Sequence, residues 1–205
     1  MDIKVIYWDL GGVCVTDNVR PAFESYGVEY GQQQKSAWRE RRRGEISSDE
    51  FFREATKGTI LESRVNELQR QMKKLIILQP DGALPVISAV NSLGIYRQGV
   101  ISNHVTEWVR YMEERFKISS YFDPNLFIIS EEVGLDKSDP DIFDLAHELS
   151  GVTEEEILFI DNDTKNVQKA REKSEKRKGL NADVFQNTKQ ISQVLREYGI
   201  RIGLI

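Results

Sequence analysis

Short apolar runs alternate along the chain with longer stretches in which apolar residues recur at helical spacing. The apolar runs are, in order, IKVIYWDL, YRQGVISN, LFIIS, EILFID and ADVFQN. Runs that are short and almost continuously apolar are typical of strands buried on both faces of a parallel sheet. The helical stretches between them supply the crossover connections that parallel strands require. The pattern therefore predicts an α/β protein built from βαβ units.

One stretch interrupts this alternation, from about Pro21 to Leu78. It is rich in Gln, Arg, Glu and Lys, and its apolar residues are spaced as on amphipathic helices, with Ser48 as the expected N-cap of one of them. Gln79 to Gly82 form a predicted turn, and Pro85 to Leu93 predicts a helix that returns to the sheet. We therefore expect a helical insertion, residues 18–82, in a core made of residues 1–17 and 83–205.

Composition limits the classes of protein to which the chain can belong. Its 205 residues are 40% hydrophobic and 30% charged, with a mean hydropathy of −0.46, and no apolar stretch approaches the ~20 residues that span a bilayer. The formal net charge of −5 argues against a general nucleic-acid surface, which needs surplus Lys and Arg. The first strand starts at Ile3 without a preceding signal segment, so we expect a cytoplasmic protein. The single cysteine, Cys14, is expected to pack in the core.

Functional groups stand where four of the predicted strands end. They are Asp9; Ser102 with Asn103; Lys137, in the loop after LFIIS; and the acidic stretch from Asp161 to Asp163. Each has a structural alternative, because helix caps, surface lysines and turns are common at strand ends. Parallel strands, however, bring their carboxyl ends to one edge of the sheet, where open α/β proteins bind ligands. Together these groups are the ones needed to attack and stabilise a phosphoryl group.

The order of these segments, DLGGV, VISN, GLDKSDPDIF and FIDNDTKNVQKA, resembles the four motifs of the haloacid dehalogenase (HAD) superfamily. The resemblance covers nearly the whole chain and is to the phosphatase-like branch, whose cap is a helical insertion after the first strand. It implies a doubly wound, Rossmann-like parallel sheet with that helical cap domain. It also implies a hydrolase that requires Mg²⁺ and acts on a small phosphorylated metabolite.

The resemblance assigns catalytic roles to four residues. Asp9 corresponds to the nucleophile, whose carboxylate attacks phosphorus and forms an aspartyl-phosphate that water later hydrolyses. Ser102 and Asn103 match the donors that hold the phosphoryl oxygens. Lys137 matches the lysine that neutralises charge between the nucleophile and the phosphoryl group.

The resemblance also implies a Mg²⁺ site formed by Asp9, Asp161, Asn162 and the main-chain carbonyl of Gly11. Two of these positions depart from the family pattern. Gly11 stands where most phosphatases of the superfamily have an aspartate that acts as general acid and base, so protonation of the leaving oxygen falls to water, the substrate or another residue. Asn162 stands where the family usually has an acidic metal ligand, and a neutral amide oxygen is a weaker ligand for Mg²⁺. Asp163 is the candidate to compensate for the lost charge.

These departures leave two alternatives open beside a phosphomonoester phosphatase. One is a catalytically weak member of the superfamily that binds a phosphate or a protein partner. The other is a 2-haloacid dehalogenase, which uses the same nucleophile without a metal and also lacks the second aspartate. The segment FIDND argues against the dehalogenase, because its two carboxylates would repel a substrate carboxylate unless a cation lies between them.

Substrate specificity is expected in the helical insertion, because the sheet motifs serve any phosphate. Trp38 and Arg43 are candidate substrate-binding residues, since an aromatic ring beside guanidinium groups suits a sugar phosphate or another small anion. The alternative is that Trp38 packs inside the insertion and the arginines are solvated. His104 is a candidate proton carrier or a residue of the first turn of a helix. We expect no nucleic-acid or membrane partner, and a monomer or homodimer.

Overall fold

Five parallel strands form one sheet in a computed structural model that describes residues 2–175 and 177–203. The first and last residues of the predicted core domain, residues 1 and 205, lie outside the described residues. The order of the strands across the sheet is β3-β2-β1-β4-β5. The strands are β1 (Val5–Trp8), β2 (Arg97–Ser102), β3 (Phe127–Ile129), β4 (Ile157–Asp161) and β5 (Asn181–Val184). All five predicted strands are therefore present in sequence order.

The first strand is the centre of the sheet and is buried on both faces. Its last residue, Trp8, pairs with Val100 of β2 on one side and Ile160 of β4 on the other. Successive residues of β1 contribute to two separate apolar clusters: Val5 and Tyr7 to one, Ile6 and Trp8 to the other. This arrangement explains the continuously apolar runs, because both faces of each strand need apolar side chains.

Helices cover both faces of the sheet, as a doubly wound fold requires. One apolar cluster includes buried residues of α8 and α9, and the other includes those of α5, α6 and α10. The helices are α1 (Val19–Glu24), α2 (Gln32–Arg42), α3 (Ser48–Thr56), α4 (Val65–Leu75), α5 (Leu84–Asn91), α6 (Thr106–Phe116), α7 (Ser130–Val133), α8 (Asp141–Ser150), α9 (Thr164–Arg171) and α10 (Thr188–Glu197). The expected fold class, a doubly wound Rossmann-like α/β sheet, is confirmed.

Four of these helices, α1 to α4, lie between β1 and α5, within the stretch expected as a helical insertion. In this insert, defined as residues 18–82, α2 packs on α3 and α1 packs on α4. The chain leaves and returns side by side, since Leu78 forms an antiparallel bridge with Val15 and the N–H of Gln79 donates to the carbonyl oxygen of Cys14 at 2.9 Å. Cys14 is buried, as expected. Among the described helices, none has the length and apolar character needed to cross a bilayer.

The N-cap expected at Ser48 is wrong by one residue. Ser47 caps α3: its hydroxyl accepts a hydrogen bond from the N–H of Glu50 at 3.2 Å, and the Glu50 carboxylate accepts one from the N–H of Ser47 at 2.8 Å. This reciprocal pair needs a spacing of three residues, which Ser47 has and Ser48 lacks. Ser48 is instead the first residue of the helix.

Candidate active site

The sequence-predicted acid Asp9 follows β1 at the edge of the sheet where its neighbours also end. Strand order reverses at β1, since β2 and β3 extend to one side of it and β4 and β5 to the other. A crevice forms at such a point, outside the carboxyl ends of the strands. Ser102 ends β2 and Asp161 ends β4, so both flank Asp9. Topology therefore brings three of the predicted residues together.

The Asp9 carboxylate is held through one of its two oxygens. Oδ1 accepts hydrogen bonds from the N–H of Leu10 at 2.7 Å and from the hydroxyl of Ser102 at 2.8 Å, and Lys137 Nζ lies 2.8 Å from it. No described residue donates a hydrogen bond to Oδ2. The carboxylate is thus fixed in orientation and keeps one oxygen available for an incoming group.

Lys137 joins the two buried carboxylates of the site. Its Nζ lies 2.5 Å from Asp161 Oδ2 as well as 2.8 Å from Asp9 Oδ1, and the side chain is only 1% exposed. Burial acts to lower the pKa of Lys137, but the charges of Asp161 and Asp9 outweigh it and the pKa is raised. The lysine therefore carries its positive charge. Its loop is fastened by Asn103, whose Oδ1 accepts the N–H of Lys137 at 2.9 Å.

Asp161 is fully buried and is surrounded by donors. Its Oδ1 accepts the N–H of Asp163 at 2.7 Å, and its Oδ2 accepts Nδ2 of Asn166 at 3.0 Å in addition to Lys137. Burial raises the pKa of Asp161 to about 6, although the charge of Lys137 acts in the opposite direction. Asn166 is a site residue that sequence reasoning missed, because only the first turn of α9 folds its side chain back onto the strand end.

The two glycines after Asp9 differ in their surroundings. Gly12 has a φ of +77°, and a Cβ there would lie 2.5 Å from Nδ2 of Asn162, so position 12 requires glycine. A Cβ on Gly11 would meet no atom within 4 Å. Contacts of a Cβ therefore do not require glycine at position 11, in contrast to position 12.

A cavity of about 300 Å³ opens above these residues and is lined by both the sheet edge and the insert. Its walls include every predicted catalytic and metal residue except the fully buried Asp161. They also include residues that sequence reasoning did not single out. The lining residues are Asp9, Gly11, Gly12, Thr16, Asp17, Asn18, Val19, Trp38, Arg42, Ser102, Asn103, His104, Lys137, Ser138, Asn162, Asp163 and Asn166.

Trp38 of the insert is half-buried and lines the cavity while packing on the core. Its ring stacks on Trp108 of α6, with centroids 5.1 Å apart and an interplanar angle of 19°, and meets the edge of Phe51 at 5.7 Å. Trp38 therefore packs against α6 and also lines the cavity, and its role in binding substrate stays a prediction.

The structure brings Arg42 into the cavity and leaves Arg43 outside it. Arg43 pairs with Asp139 and Glu45 and is not among the lining residues. Arg42 and Trp38 are four positions apart on α2 and therefore share one face of the helix, whereas Arg43 follows the helix. The spacing of four residues from Trp38 is therefore the sequence signal that predicts Arg42, and not Arg43, on the cavity side.

His104 lines the same cavity as a neutral imidazole. Burial lowers its pKa to about 4. Its Nδ1 accepts the N–H of Val105 at 3.0 Å, and its ring meets Trp108 edge-on at 5.6 Å. The hydrogen bond to Nδ1 places the proton of the neutral ring on Nε2. His104 precedes the first residue of α6, and its role as a proton carrier stays a prediction.

The residues present fit a cation that retains part of its water shell. In the described ranges no group of three or more His, Cys, Asp or Glu side chains is arranged to hold a metal. Mg²⁺, however, is commonly bound by one or two carboxylates together with waters and substrate oxygens. Asp9 and Asp161 would supply the carboxylates, and Gly11 and Asn162 line the cavity beside them. Asp163 also lines the cavity while its Oδ1 caps α9 through the N–H of Lys165.

Comparison with known proteins identifies the family of the chain. The family model of haloacid dehalogenase-like hydrolases matches residues 3–172, most of the chain. The chain belongs to this family. No curated protein matches this HAD-like hydrolase in sequence.

Solved structures of HAD proteins share the fold of this HAD-like hydrolase at low sequence identity. A HAD family enzyme from Bacteroides thetaiotaomicron, in complex with magnesium and inorganic phosphate, has a TM-score of 0.71 at 19% identity, covering 95% of this chain and 100% of its own. A predicted HAD-like hydrolase from Porphyromonas gingivalis has a TM-score of 0.68 at 23% identity, covering 96% and 99%. L-2-haloacid dehalogenase from Xanthobacter autotrophicus, with chloropropionic acid covalently bound, has a TM-score of 0.62 at 17% identity, covering 97% and 84%.

Proposed function

We propose that this HAD-like hydrolase is a Mg²⁺-dependent phosphatase that hydrolyses a small phosphomonoester through an aspartyl-phosphate on Asp9. The observation that carries the proposal is the state of the Asp9 carboxylate. Three donors fix its Oδ1, its Oδ2 carries no hydrogen bond within the described residues, and Asp9 lines the cavity. An oriented carboxylate with one unhindered oxygen is suited to nucleophilic attack.

The surrounding residues have roles in such an attack. Asp9 Oδ2 forms a bond to phosphorus while the bond from phosphorus to the ester oxygen breaks. The ester oxygen takes its proton from water or from the substrate, because Gly11 offers no acid. The Nδ2 of Asn103, which no described residue accepts, is available to the phosphoryl oxygens, and the Ser102 hydroxyl would reach them by turning away from Asp9 Oδ1, to which it donates in the structure. Water then attacks phosphorus, which releases phosphate and restores the Asp9 carboxylate.

Lys137 and the acids around it set the charge of the site. One ammonium faces the carboxylates of Asp9 and Asp161, and the exposed Asp163 adds a third negative charge nearby. A phosphate dianion would therefore be repelled unless a cation accompanied it. Mg²⁺, where bound, would supply that neutralisation and would polarise the phosphoryl oxygens. Residues Asp9, Asp161, Asn162 and Gly11, through its carbonyl, would hold it.

We further propose that residues 1–17 and 83–205 form the core domain and residues 18–82 a cap that covers the active site. Trp38 supports this division, because its ring lies on the core residue Trp108 and lines the cavity above Asp9. A cap in this position would exclude water from the reacting groups and contact the leaving group of the substrate. The substrate would then be a small phosphorylated metabolite, in keeping with a cavity of about 300 Å³.

Gly11 favours one alternative, a catalytically weak member that binds a phosphate or a partner. Position 11 has space for a Cβ but carries no acid, so leaving groups that need protonation would react slowly. The dehalogenase alternative is less well supported, since Asp161 and Asp163 would oppose the carboxylate of a haloacid.

Phosphate release from a panel of small phosphate esters, in Mg²⁺ and in excess chelator, tests the proposal. We expect Mg²⁺-dependent release that Asp9→Asn abolishes and that Asp49→Asn, the same change at an exposed carboxylate on α3, leaves intact. Halide release from 2-haloacids in chelator would support the dehalogenase. Binding of inorganic phosphate without turnover of any ester would support the weak member.

A further inference from the structure

Arg42 enters the cavity with part of its hydrogen-bonding capacity unused. Its Nη2 pairs with Asp136 Oδ2 at 2.9 Å. Its Nε is buried without a partner, and no described residue accepts a hydrogen bond from its Nη1. The side chain remains 23% exposed and lines the wall near Trp38. Buried donors without partners are uncommon in folded proteins, so a guanidinium in this state is suited to receive an acceptor from a ligand.

Asp136 determines where this guanidinium lies. Its side chain is fully buried, its Oδ1 accepts the N–H of Ser138 at 2.9 Å, and the Ser138 hydroxyl also donates to it. Burial acts to raise the pKa of Asp136, but the hydrogen bonds from Ser138 and the charge of Arg42 lower it. The next residue, Lys137, contacts Asp9. One short loop therefore sets the position of the insert's arginine relative to the nucleophile.

The backbone of Arg42 is fixed as well. The hydroxyl of Ser130 donates to the carbonyl oxygen of Arg42 at 2.6 Å, and this links the end of α2 to α7 of the core. Arg41 pairs with Glu131 beside it. Arg42 thus projects into the cavity from an anchored position.

A second unused donor lies on the same cavity wall. His104 is neutral, and its Nδ1 is occupied by the N–H of Val105. Its Nε2–H has no acceptor among the described residues. Arg42 and His104 therefore both offer N–H groups to a ligand, and Trp38 offers the edge of an apolar surface.

The positive charges around this wall are already paired with carboxylates. Arg39, Arg42 and Arg43 face the carboxylates of Asp136, Asp139 and Glu45, and Lys137 is matched by Asp9 and Asp161. The exposed carboxylate of Asp17 borders the cavity and adds a negative charge. A leaving group with its own negative charge would therefore find donors but no surplus positive charge.

We propose that Arg42 and His104 form a leaving-group subsite that selects phosphate esters of uncharged, hydroxyl-bearing alcohols over esters that carry a second anionic group, with Asp136 as the positioning residue of Arg42. The proposal rests on the proposed phosphatase function and names its substrate class. Hydroxyl oxygens accept hydrogen bonds from both donors, and the carbon face of a polyol packs against Trp38.

Matched pairs of esters test the subsite. Glycerol phosphate differs from phosphoglycerate, and a hexose phosphate from the corresponding phosphohexonate, by a carboxylate in place of an uncharged group. We expect kcat/KM of the wild type to favour the uncharged member of both pairs by at least about tenfold, the value of roughly 1.4 kcal/mol. His104→Phe should raise KM for the uncharged esters, because it removes a donor. Arg42→Gln also leaves the charge of Asp136 unpaired, so it should raise KM for both members of each pair and more strongly for the carboxylated one, which increases the preference.

Asp136→Asn provides the opposite perturbation. It removes the charge that neutralises Arg42, so kcat/KM for the carboxylated esters should rise relative to their uncharged partners by about tenfold. Arg53→Gln is the matched control, since Arg53 is an exposed arginine of the same insert that pairs with Glu54 and does not line the cavity, and the preference should not change. Thermal melting identifies any variant that fails to fold, and Arg42→Lys then replaces Arg42→Gln.

The outcomes separate this proposal from the proposed function. No hydrolysis of p-nitrophenyl phosphate by the wild type would overturn both. Hydrolysis of that ester with equal or reversed preference within the matched pairs, or a preference that Arg42→Gln and Asp136→Asn leave unchanged, would overturn the subsite and leave the phosphatase assignment standing.

Discussion

Replacing Lys137 with Met should destabilise the fold strongly, because two buried carboxylates depend on one ammonium. Its Nζ lies 2.8 Å from Asp9 and 2.5 Å from Asp161, and the Lys137 and Asp161 side chains are 1% and 0% exposed. Removing one partner of a buried ion pair costs about 3 to 5 kcal/mol, since the other charge is left uncompensated. At roughly 2 to 4 °C per kcal/mol for a chain of this length, Lys137→Met should lower the Tm by about 6 to 20 °C.

A double-mutant cycle isolates the interaction. Asp161→Asn removes one of the carboxylates that Lys137→Met leaves without a partner. The double variant should therefore be less destabilised than the sum of the single variants, by about 2 kcal/mol. Unfolding by urea in excess chelator measures the free energies, because chelator prevents a divalent cation from replacing the ammonium.

Lys169→Met is the control for the loss of a lysine. Its ammonium pairs with Glu172 on the surface, where ion pairs contribute less than about 1 kcal/mol. The reasoning about Lys137 would be refuted if the single changes at Lys137 and Asp161 added to within about 0.5 kcal/mol, or if Lys137→Met cost no more than this control.

Other predictions concern the glycines, the metal and the buried histidine. Gly12→Ala should lower the free energy of unfolding by about 1 to 2 kcal/mol, because position 12 has a positive φ and lies against the amide of Asn162. Gly11→Ala should lower it clearly less, and equal losses in urea unfolding would contradict this. Asn162→Asp should lower the Mg²⁺ concentration that gives half-maximal activity, because a carboxylate is the stronger ligand, and an unchanged Mg²⁺ titration would argue against the site. The pKa of His104 is about 4 in the folded protein and about 6.5 in the unfolded chain. Between pH 6.5 and 4 the imidazole is therefore protonated in the unfolded state but not in the folded state. The free energy of unfolding should fall by about 3 kcal/mol as the pH is lowered through this range. His104→Gln should flatten this part of the pH dependence relative to wild type, and parallel curves would show that the buried imidazole is not its source.

The sheet could be predicted because most residues of its strands are apolar. Val5 and Tyr7 pack on one layer while Ile6 and Trp8 pack on the other, so the run had to be apolar throughout. The position of Asp9 at the end of that run, and of Ser102 at the end of the next, followed from the shared direction of parallel strands.

The N-cap of α3 and the cavity-lining face of α2 could also have been predicted from the sequence, by applying the spacing of residues within a helix. Ser47 and Glu50 form a capping pair at a spacing of three, and Trp38 and Arg42 share a helix face at a spacing of four. The interpretations of Ser48 as the N-cap and of Arg43 as the substrate-binding arginine do not take these spacings into account.

Contacts between distant segments could not be predicted from local pattern. Asn103 fastens the loop of Lys137 across 34 positions, and Arg42 meets Asp136 across 94. Neither pair has a periodic or compositional signal, because the partners are brought together only when the insert packs on the core. The lowered pKa of His104 has the same origin, since it depends on burial that the sequence does not display.

Trapping the covalent intermediate tests the central claim most directly. The enzyme is mixed with p-nitrophenyl phosphate and Mg²⁺, quenched in acid during turnover and digested, and its peptides are examined by mass spectrometry. We predict the added mass of one phosphoryl group on the peptide that contains Asp9, and its loss in Asp9→Asn. Phosphate release without any phosphorylated peptide, or a phosphoryl group on a residue other than Asp9, would contradict the account.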